Sequence, residues 1–213
     1  MRHAPRLKAI MPVVNSDWRL ERIMNELLEE IRRVQHEAEL LHSEQAVQAA
    51  VGQMAEKITQ ALAGSNPLVL CVMTGGIIPA GWLLPKLCFP LQLDYVHATR
   101  YRGGISGREL EWRVRPSLPV RDRVILLVDD IFDEGVTLVQ VAQDCRTRGA
   151  RQVFTAVLVR KQRVRKHGSL QPDFTGLEVP DRYVFGCGLD YKNYLRNFPA
   201  IYALRQTADQ HGR

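Results

Sequence analysis

The run VILLVDDIFDEGVT, residues 124–137, concentrates side chains and backbone that could do chemistry together. An apolar stretch ends in two adjacent carboxylates, Asp129 and Asp130. A third, Asp133, is followed by Glu134, Gly135, Val136 and the hydroxyl of Thr137, where a helix is due to begin. Backbone N–H groups at a helix N-terminus make a ready cradle for an anion. Gly135 lets the chain turn close to a ligand, and Thr137 adds a hydroxyl donor. Carboxylates beside such a cradle repel a bare phosphate, so the string makes sense if they meet sugar hydroxyls, a metal ion or a developing cation. Asp130 or Asp133 alone would read as an acidic helix cap; the whole string would not.

The elements that must position these groups can be read from periodicity. Asp17 to Gln35 repeats apolar residues at helical spacing (Leu20, Ile23, Met24, Leu27, Leu28, Ile31, Val34). Ser43 reads as the N-cap of a second helix, with Val47, Val51, Met54, Ile58 and Leu62 on one face and a stop at 64–67. Leu68 to Met73 is an unbroken apolar run, as in a strand covered on both faces. Thr74, Gly75 and Gly76 then make a turn into a short helix reaching Leu87, which Pro85 should end or kink. Leu91 to Ala98 reads as a strand, and the polar, basic, glycine-containing stretch 99–120 as a long loop or lid. Val124 to Val128 is a strand, Asp129 to Thr137 a turn, Leu138 to Arg148 a helix ending at Gly149, and Val153 to Val159 another strand. Alternating buried strands and helices predict an α/β fold with a parallel sheet and helices on both faces. Such sheets bind ligands beyond the carboxyl ends of their strands, which directs attention to the loops after Met73, Val128 and Val159.

Composition bounds the rest. With 213 residues, 46% hydrophobic and 24% charged, the chain has the balance of a globular protein, which excludes a disordered or fibrous one. No apolar run approaches the roughly 20 residues that span a bilayer, and no apolar signal region follows Met1, so a cytoplasmic protein with no membrane partner is expected. Cys71, Cys88, Cys145 and Cys187 form no C-x-x-C pair and read as buried structural thiols. The formal charge of +6 suggests an anionic partner. The excess lies in two clusters (Arg100, Arg102, Arg108, Arg113 and Arg115; Arg160, Lys161, Arg163, Arg165, Lys166 and His167), either of which alone would read as a solvated loop.

The 124–137 run resembles the phosphoribosyl pyrophosphate (PRPP) signature of type I phosphoribosyltransferases. Residues 171–196, QPDFTGLEVPDRYVFGCGLDYKNYLR, resemble the purine-site hood of the hypoxanthine-guanine phosphoribosyltransferases. Four separated segments agree in order over about residues 38–204. The resemblance implies the type I phosphoribosyltransferase fold: a mainly parallel twisted sheet flanked by helices, with a small C-terminal hood. It places the catalytic domain at 38–213, with the hood drawn from about 38–43 and 165–204, and leaves a helical extension at 1–37 outside the match.

The activity it implies is displacement of pyrophosphate from PRPP by a 6-oxopurine, hypoxanthine and guanine, in a homodimer or homotetramer. By the same match, Asp129 and Asp130 hold the ribose hydroxyls directly or through Mg²⁺, and Asp190 is a further Mg²⁺ ligand. Asp133 is the general base near purine N7, and residues 133–137 wrap the 5′-phosphate. Thr74, Gly75 and Gly76 form the pyrophosphate loop with Arg196, and Arg100 and Tyr101 the lid. Lys161 reads the 6-oxo group, Tyr183 stacks on the purine, and Val184 offers it backbone groups. Two positions depart from the family. Thr74 stands where Lys or Arg is common, and Glu134 where Thr or Ser is usual, so its side chain must point away or weaken PRPP binding. These departures and the basic clusters suit an alternative, a weakly catalytic regulator on the same fold binding RNA or nucleotide. The complete purine site argues against it, and nucleic acid is not the expected partner. A transferase for xanthine or a pyrimidine is the other alternative.

Overall fold

The structure, a computed structural model, describes residues 18–100, 110–162 and 171–205. The chain divides into two units, residues 1–36 and 37–213. The first holds helix α1 (Trp18–Glu37), in which Arg22 pairs with Glu26 one turn on at 2.8 Å. The second runs β1 (Glu39–His42), α2 (Glu44–Leu62), β2 (Leu68–Met73), α3 (Ile77–Leu83), β3 (Gln92–Arg100), β4 (Leu110–Val114), β5 (Val124–Phe132), α4 (Val136–Thr147), β6 (Gln152–Gln162), β7 (Phe174–Pro180), β8 (Val184–Phe185) and β9 (Ile201–Ala203).

Six strands form one sheet in the order β4-β3-β2-β5-β6-β7, parallel except for β4, which runs antiparallel to β3 on the edge. The central strands have no polar face. Val69, Cys71, Leu126 and Val128 point into a core built with α2 and α3, while Leu68, Leu70, Ile125 and Leu127 point into a second core with α4. That is why β2 and β5 read as continuous apolar runs. Helix α2 starts where Ser43 Oγ accepts from Ala46 N–H at 3.3 Å and buries Val47, Val51, Met54, Ile58 and Leu62. After α3 the chain tightens into a 3₁₀ turn at Leu84–Lys86, where Pro85 cannot continue an α-helix. A small antiparallel sheet, β1-β9-β8, joins the segment before α2 to the C-terminal segment.

Three expectations need correction. The stretch 99–120 is not one loop: β3 extends through Arg100, and Leu110–Val114 returns as β4 with Thr99 opposite Glu111. Asp129–Thr137 is not all turn, because β5 continues to Phe132 in register with β6 (Asp129 opposite Val157, Phe132 opposite Arg160). Cys71, Cys145 and Cys187 are buried free thiols, but Cys88 is exposed, since the chain there has left the helix for the surface. Of the stretch 165–204, Phe174–Pro180 pairs with β6 at the edge of the main sheet, and β8 and β9 make the small one.

The return from β4 to β5 is fastened by Asp94. Its Oδ2 accepts from Ser117 N–H (2.7 Å), Ser117 Oγ (2.9 Å) and Leu118 N–H (2.9 Å), and its Oδ1 from Tyr95 N–H (2.7 Å). Burial works against this charge, but the backbone donors of Leu118, Tyr95 and Ser117 outweigh it and hold the carboxyl below its ordinary range. Asp94→Asn is expected to lower stability by about 1–3 kcal/mol in urea unfolding at neutral pH. A depressed carboxyl stabilises above its unfolded-state value and loses that contribution as pH falls through the folded one. The gap between wild type and variant is therefore expected to close in acid.

Candidate active site

The site lies at the carboxyl ends of β2, β5 and β6, and its centre is the acid pair. As β5 runs past the end of its pairing with β2, Asp129 and Asp130 leave the apolar core for the floor of a cleft. Asp129 Oδ1 accepts from Asp130 N–H at 2.9 Å, and Asp130 Oδ1 from Ile131 N–H at 2.7 Å, so both side chains are fixed by the backbone beside them. Asp130 is 9% exposed. Burial and the neighbouring negative charge of Asp130 push Asp129 well above the usual carboxylate range, and burial pushes Asp130 up as well. Arg196, with Nη1 3.8 Å from Asp130, opposes both shifts. Gly75 is glycine because of this pair: a Cβ there would land on the Asp130 carboxylate.

Beside the acids, α4 presents its N-terminus. Gly135 precedes the helix at φ +75°, and a Cβ on it would strike the Phe132 ring. The first-turn N–H groups of α4 have no partner within the helix. Asp133, Gly135, Val136 and Thr137 line a cavity of 290 Å³ with Gly75, Asp129, Asp130 and Arg196. Glu134 is exposed and lines none of this cavity; only its backbone belongs to the turn.

On one side the cleft continues into a 210 Å³ recess lined by Asp133, Lys161, Tyr183, Val184, Leu189 and Asp190, among others. Lys161 lies inside β6, not after it, and its Nζ is 3.1 Å from Asp133 Oδ2 and 3.7 Å from Asp181 Oδ1. Its neighbour Arg160 points elsewhere, to Glu178 and to Gln171 Oε1 at 2.8 Å, so Lys161 is the cation of the recess. Tyr183 is half exposed and meets Tyr191 edge-on at 5.6 Å. Val184 sits on β8, an edge strand, whose outward backbone groups are unpaired within the sheet.

On the other side, Thr74 lines a 580 Å³ concavity with Arg196 and residues of β3 and β4. Gly76 caps α3 and donates its N–H to Val72 O at 2.9 Å, without lining the cleft. Arg196 Nη2 binds Asp190 Oδ1 at 2.7 Å, and its Nη1 donates to Gly188 O at 2.6 Å. Arg100 closes β3, and Tyr101 lies outside the described residues. Sequence reading missed Asp181 and Asn193. Asn193 donates its N–H to Asp190 Oδ2 at 2.7 Å. The dipeptide Pro180-Asp181 closing β7 beside the aromatic Tyr183 was the available signal for the first.

Among the described residues, no three or more His, Cys, Asp or Glu side chains converge as a metal cage. Two adjacent carboxylates, both raised by confinement, nevertheless fit a hard cation. Mg²⁺ takes one or two protein carboxylates and completes its shell from water and substrate phosphate oxygens.

A family model described as phosphoribosyl transferase domain matches residues 37–192. A hypoxanthine-guanine phosphoribosyltransferase of Bacillus subtilis (strain 168) is 30% identical over 174 residues, 81% of this chain and 96% of its own. A hypoxanthine-guanine-xanthine phosphoribosyltransferase of Tritrichomonas foetus is 29% identical over 168 residues, 79% of this chain and 92% of its own. Among solved structures, a hypoxanthine-guanine-xanthine phosphoribosyltransferase superposes at TM-score 0.68 with 26% identity, covering 79% of this chain and 94% of that one. A Staphylococcus aureus hypoxanthine phosphoribosyltransferase shares the fold at TM-score 0.75 and 22% identity, covering 80% and 94%. The chain belongs to the phosphoribosyltransferase family, and within it to the hypoxanthine-guanine phosphoribosyltransferases.

Because confinement raises Asp129, the ligand-free native state holds a proton more tightly than the unfolded chain does. Its stability therefore falls as pH climbs from the ordinary carboxylate range through the raised one. Asp129→Asn is expected to raise the Tm of the ligand-free protein at neutral pH by about 2–4 °C, the shift that ~1 kcal/mol makes in a chain of this size. The variant is also expected to lose part of the pH-dependent fall, as read by thermal unfolding across pH.

Proposed function

We propose that the protein transfers the 5-phosphoribosyl group of PRPP to hypoxanthine and guanine, releasing pyrophosphate and the nucleoside 5′-monophosphate. The carrying observation is the Lys161–Asp133 pair at 3.1 Å, set in a recess that opens directly onto the acid pair. A base in that recess can offer a 6-oxo group to the Lys161 ammonium and a ring N–H to Asp133, which takes the proton as the glycosidic bond forms. An adenine amino group would leave the ammonium unpaired, so 6-oxopurines are favoured. Tyr183 covers the base, and the outward backbone of Val184 meets its edge.

The 5′-phosphate fits the turn of residues 133–137, held by the N–H groups of Gly135, Val136 and Thr137 and by the Thr137 hydroxyl. Asp129 and Asp130 lie under the ribose, where positive charge develops as the bond to pyrophosphate breaks. Asp129 and Asp130, with Asp190 nearby, would hold Mg²⁺, which would supply charge neutralisation for the diphosphate. Thr74, Gly75 and Arg196 face the leaving group, and the Arg100–Tyr101 segment is assigned to the lid that keeps water from the reactive sugar. A nucleotide-binding regulator would have no use for an acid–lysine pair at the base end.

The domain division at residue 37, a homodimer or homotetramer, and a cytoplasmic location complete the reading. Four free cysteines suit a reducing compartment. Among the described residues no helix is long and apolar enough to cross a membrane.

Incubation with PRPP, Mg²⁺ and each of hypoxanthine, guanine, xanthine, adenine and uracil tests the function. Monophosphates from the first two are expected, and product from adenine or uracil alone would overturn the reading. Asp133→Asn is expected to lower kcat by about 10²-fold with the PRPP KM within a few-fold, and a near-normal kcat would remove it as the base. Glu134→Thr is expected to leave the PRPP KM within about two-fold, since the side chain is exposed and lines none of the cavity.

A further inference from the structure

The two ends of the cleft are separate. The recess at Lys161 and the concavity at Thr74 share no lining residue, and each joins the central cavity over the acid pair: the first through Asp130, Ile131, Asp133 and Asp190, the second through Met73 and Arg196. In an in-line displacement the attacking base and the leaving group stand on opposite sides of the reacting carbon. With the base at Lys161, a leaving pyrophosphate enters the 580 Å³ concavity, the largest of the three.

Pyrophosphate brings about three negative charges, and Arg196 is heavily engaged with other groups. It binds Asp190 at 2.7 Å, donates to Gly188 O at 2.6 Å and approaches Asp130 at 3.8 Å. Thr74, Thr99 and Asn193 are neutral, and Glu111 is an opposing carboxylate. The other guanidinium lining the concavity is Arg113 of β4. It sits at an irregularity in the sheet. His97 pairs with Val114 and Ala98 with Trp112, so Arg113 is the extra residue of a β-bulge, opposite no residue of β3. Two residues beyond Glu111 on the same strand, Arg113 lies on the face that carries His97, Thr99 and Glu111, and lines the concavity with them. Arg115, two residues on, is held by Asp144 at 2.8 Å and lies over the Trp112 ring at 4.3 Å. Arg113 is exposed and has no carboxylate partner among the described residues.

We infer that Arg113, on the β4 face that lines the concavity, is a pyrophosphate-binding residue that supplies the positive charge Thr74 does not. The inference rests on the function proposed above. It predicts that affinity for the diphosphate part of PRPP and for free pyrophosphate depends on this one side chain, with Glu111 acting in the opposite sense.

The test measures PRPP KM, hypoxanthine KM and the inhibition constant of pyrophosphate for wild type, Arg113→Gln, Arg113→Lys and Glu111→Gln. Arg113→Gln keeps the bulge residue and is expected to raise the PRPP KM and the pyrophosphate inhibition constant by about ten-fold or more, with the hypoxanthine KM and the Tm unchanged. Arg113→Lys is expected to recover most of the loss, and Glu111→Gln to tighten pyrophosphate. An unchanged pyrophosphate constant in Arg113→Gln, or an equal loss in both arginine variants with a fall in Tm, would overturn the inference. If the wild type forms no nucleotide, the proposed function fails by itself. Calorimetric binding of pyrophosphate with Mg²⁺ to wild type and Arg113→Gln then decides the role of Arg113, and equal affinities would overturn it.

Discussion

Two carboxylates that repel each other are held, short of solvent, where a buried strand emerges from its sheet. Water is the usual remedy for such a pair, and burial at Asp129 and Asp130 denies most of it. Neighbouring features reduce the penalty without removing it. Backbone N–H groups fix each carboxylate, Arg196 approaches from one side, and Gly75 gives up its side chain so that Asp130 has room. What remains is a pair of acids whose second negative charge is only partly compensated in a low-dielectric cleft. That is the condition under which fixed charges stabilise a developing cation strongly, because no solvent has to reorganise during the reaction. The same arrangement leaves the ligand-free protein less stable than it could be.

The other parts of the site are arranged around this centre and kept apart by charge. Amides at the start of α4 favour an anion beside the acids, Lys161 and Asp133 make a donor–acceptor pair at one end, and the guanidiniums of Arg196 and Arg113 define the other. One floor thus separates a base-sized recess from a wider concavity of opposite electrostatic demand. The fold supports this by ending β2, β5 and β6 on one side of the sheet, so that three loops converge on the same space.

Much of this could be read in the residues, because the signals are local. Continuous apolar runs at 68–73 and 124–128 mark doubly covered strands, Ser43 marks the start of α2, and the 124–137 string carries its acids, glycine and hydroxyl in one segment. What could not be read depends on partners far along the chain. Leu110–Val114 is short and charged and becomes a strand only by pairing with β3, while Asp129–Phe132 stays extended because β6 continues beside it. The concavity that Arg113 lines is formed by two strands in register, with His97 and Thr99 of β3 beside Glu111 and Arg113 of β4. In the sequence Arg113 is one arginine in a basic run, no different from Arg115. Glu134, a liability by position, is exposed and lines none of the cavity over the acid pair.

The central claim is that confinement raises the Asp129 carboxyl and that binding of PRPP with Mg²⁺ reverses that rise. Infrared difference spectroscopy in mildly acidic buffer reads this directly, with wild type compared against Asp129→Asn. On adding PRPP and Mg²⁺ to the wild type, a protonated carboxyl band should disappear and carboxylate bands grow, and Asp129→Asn should lack that change. A wild-type spectrum with no loss of the protonated band, or the same loss in both proteins, would contradict the account.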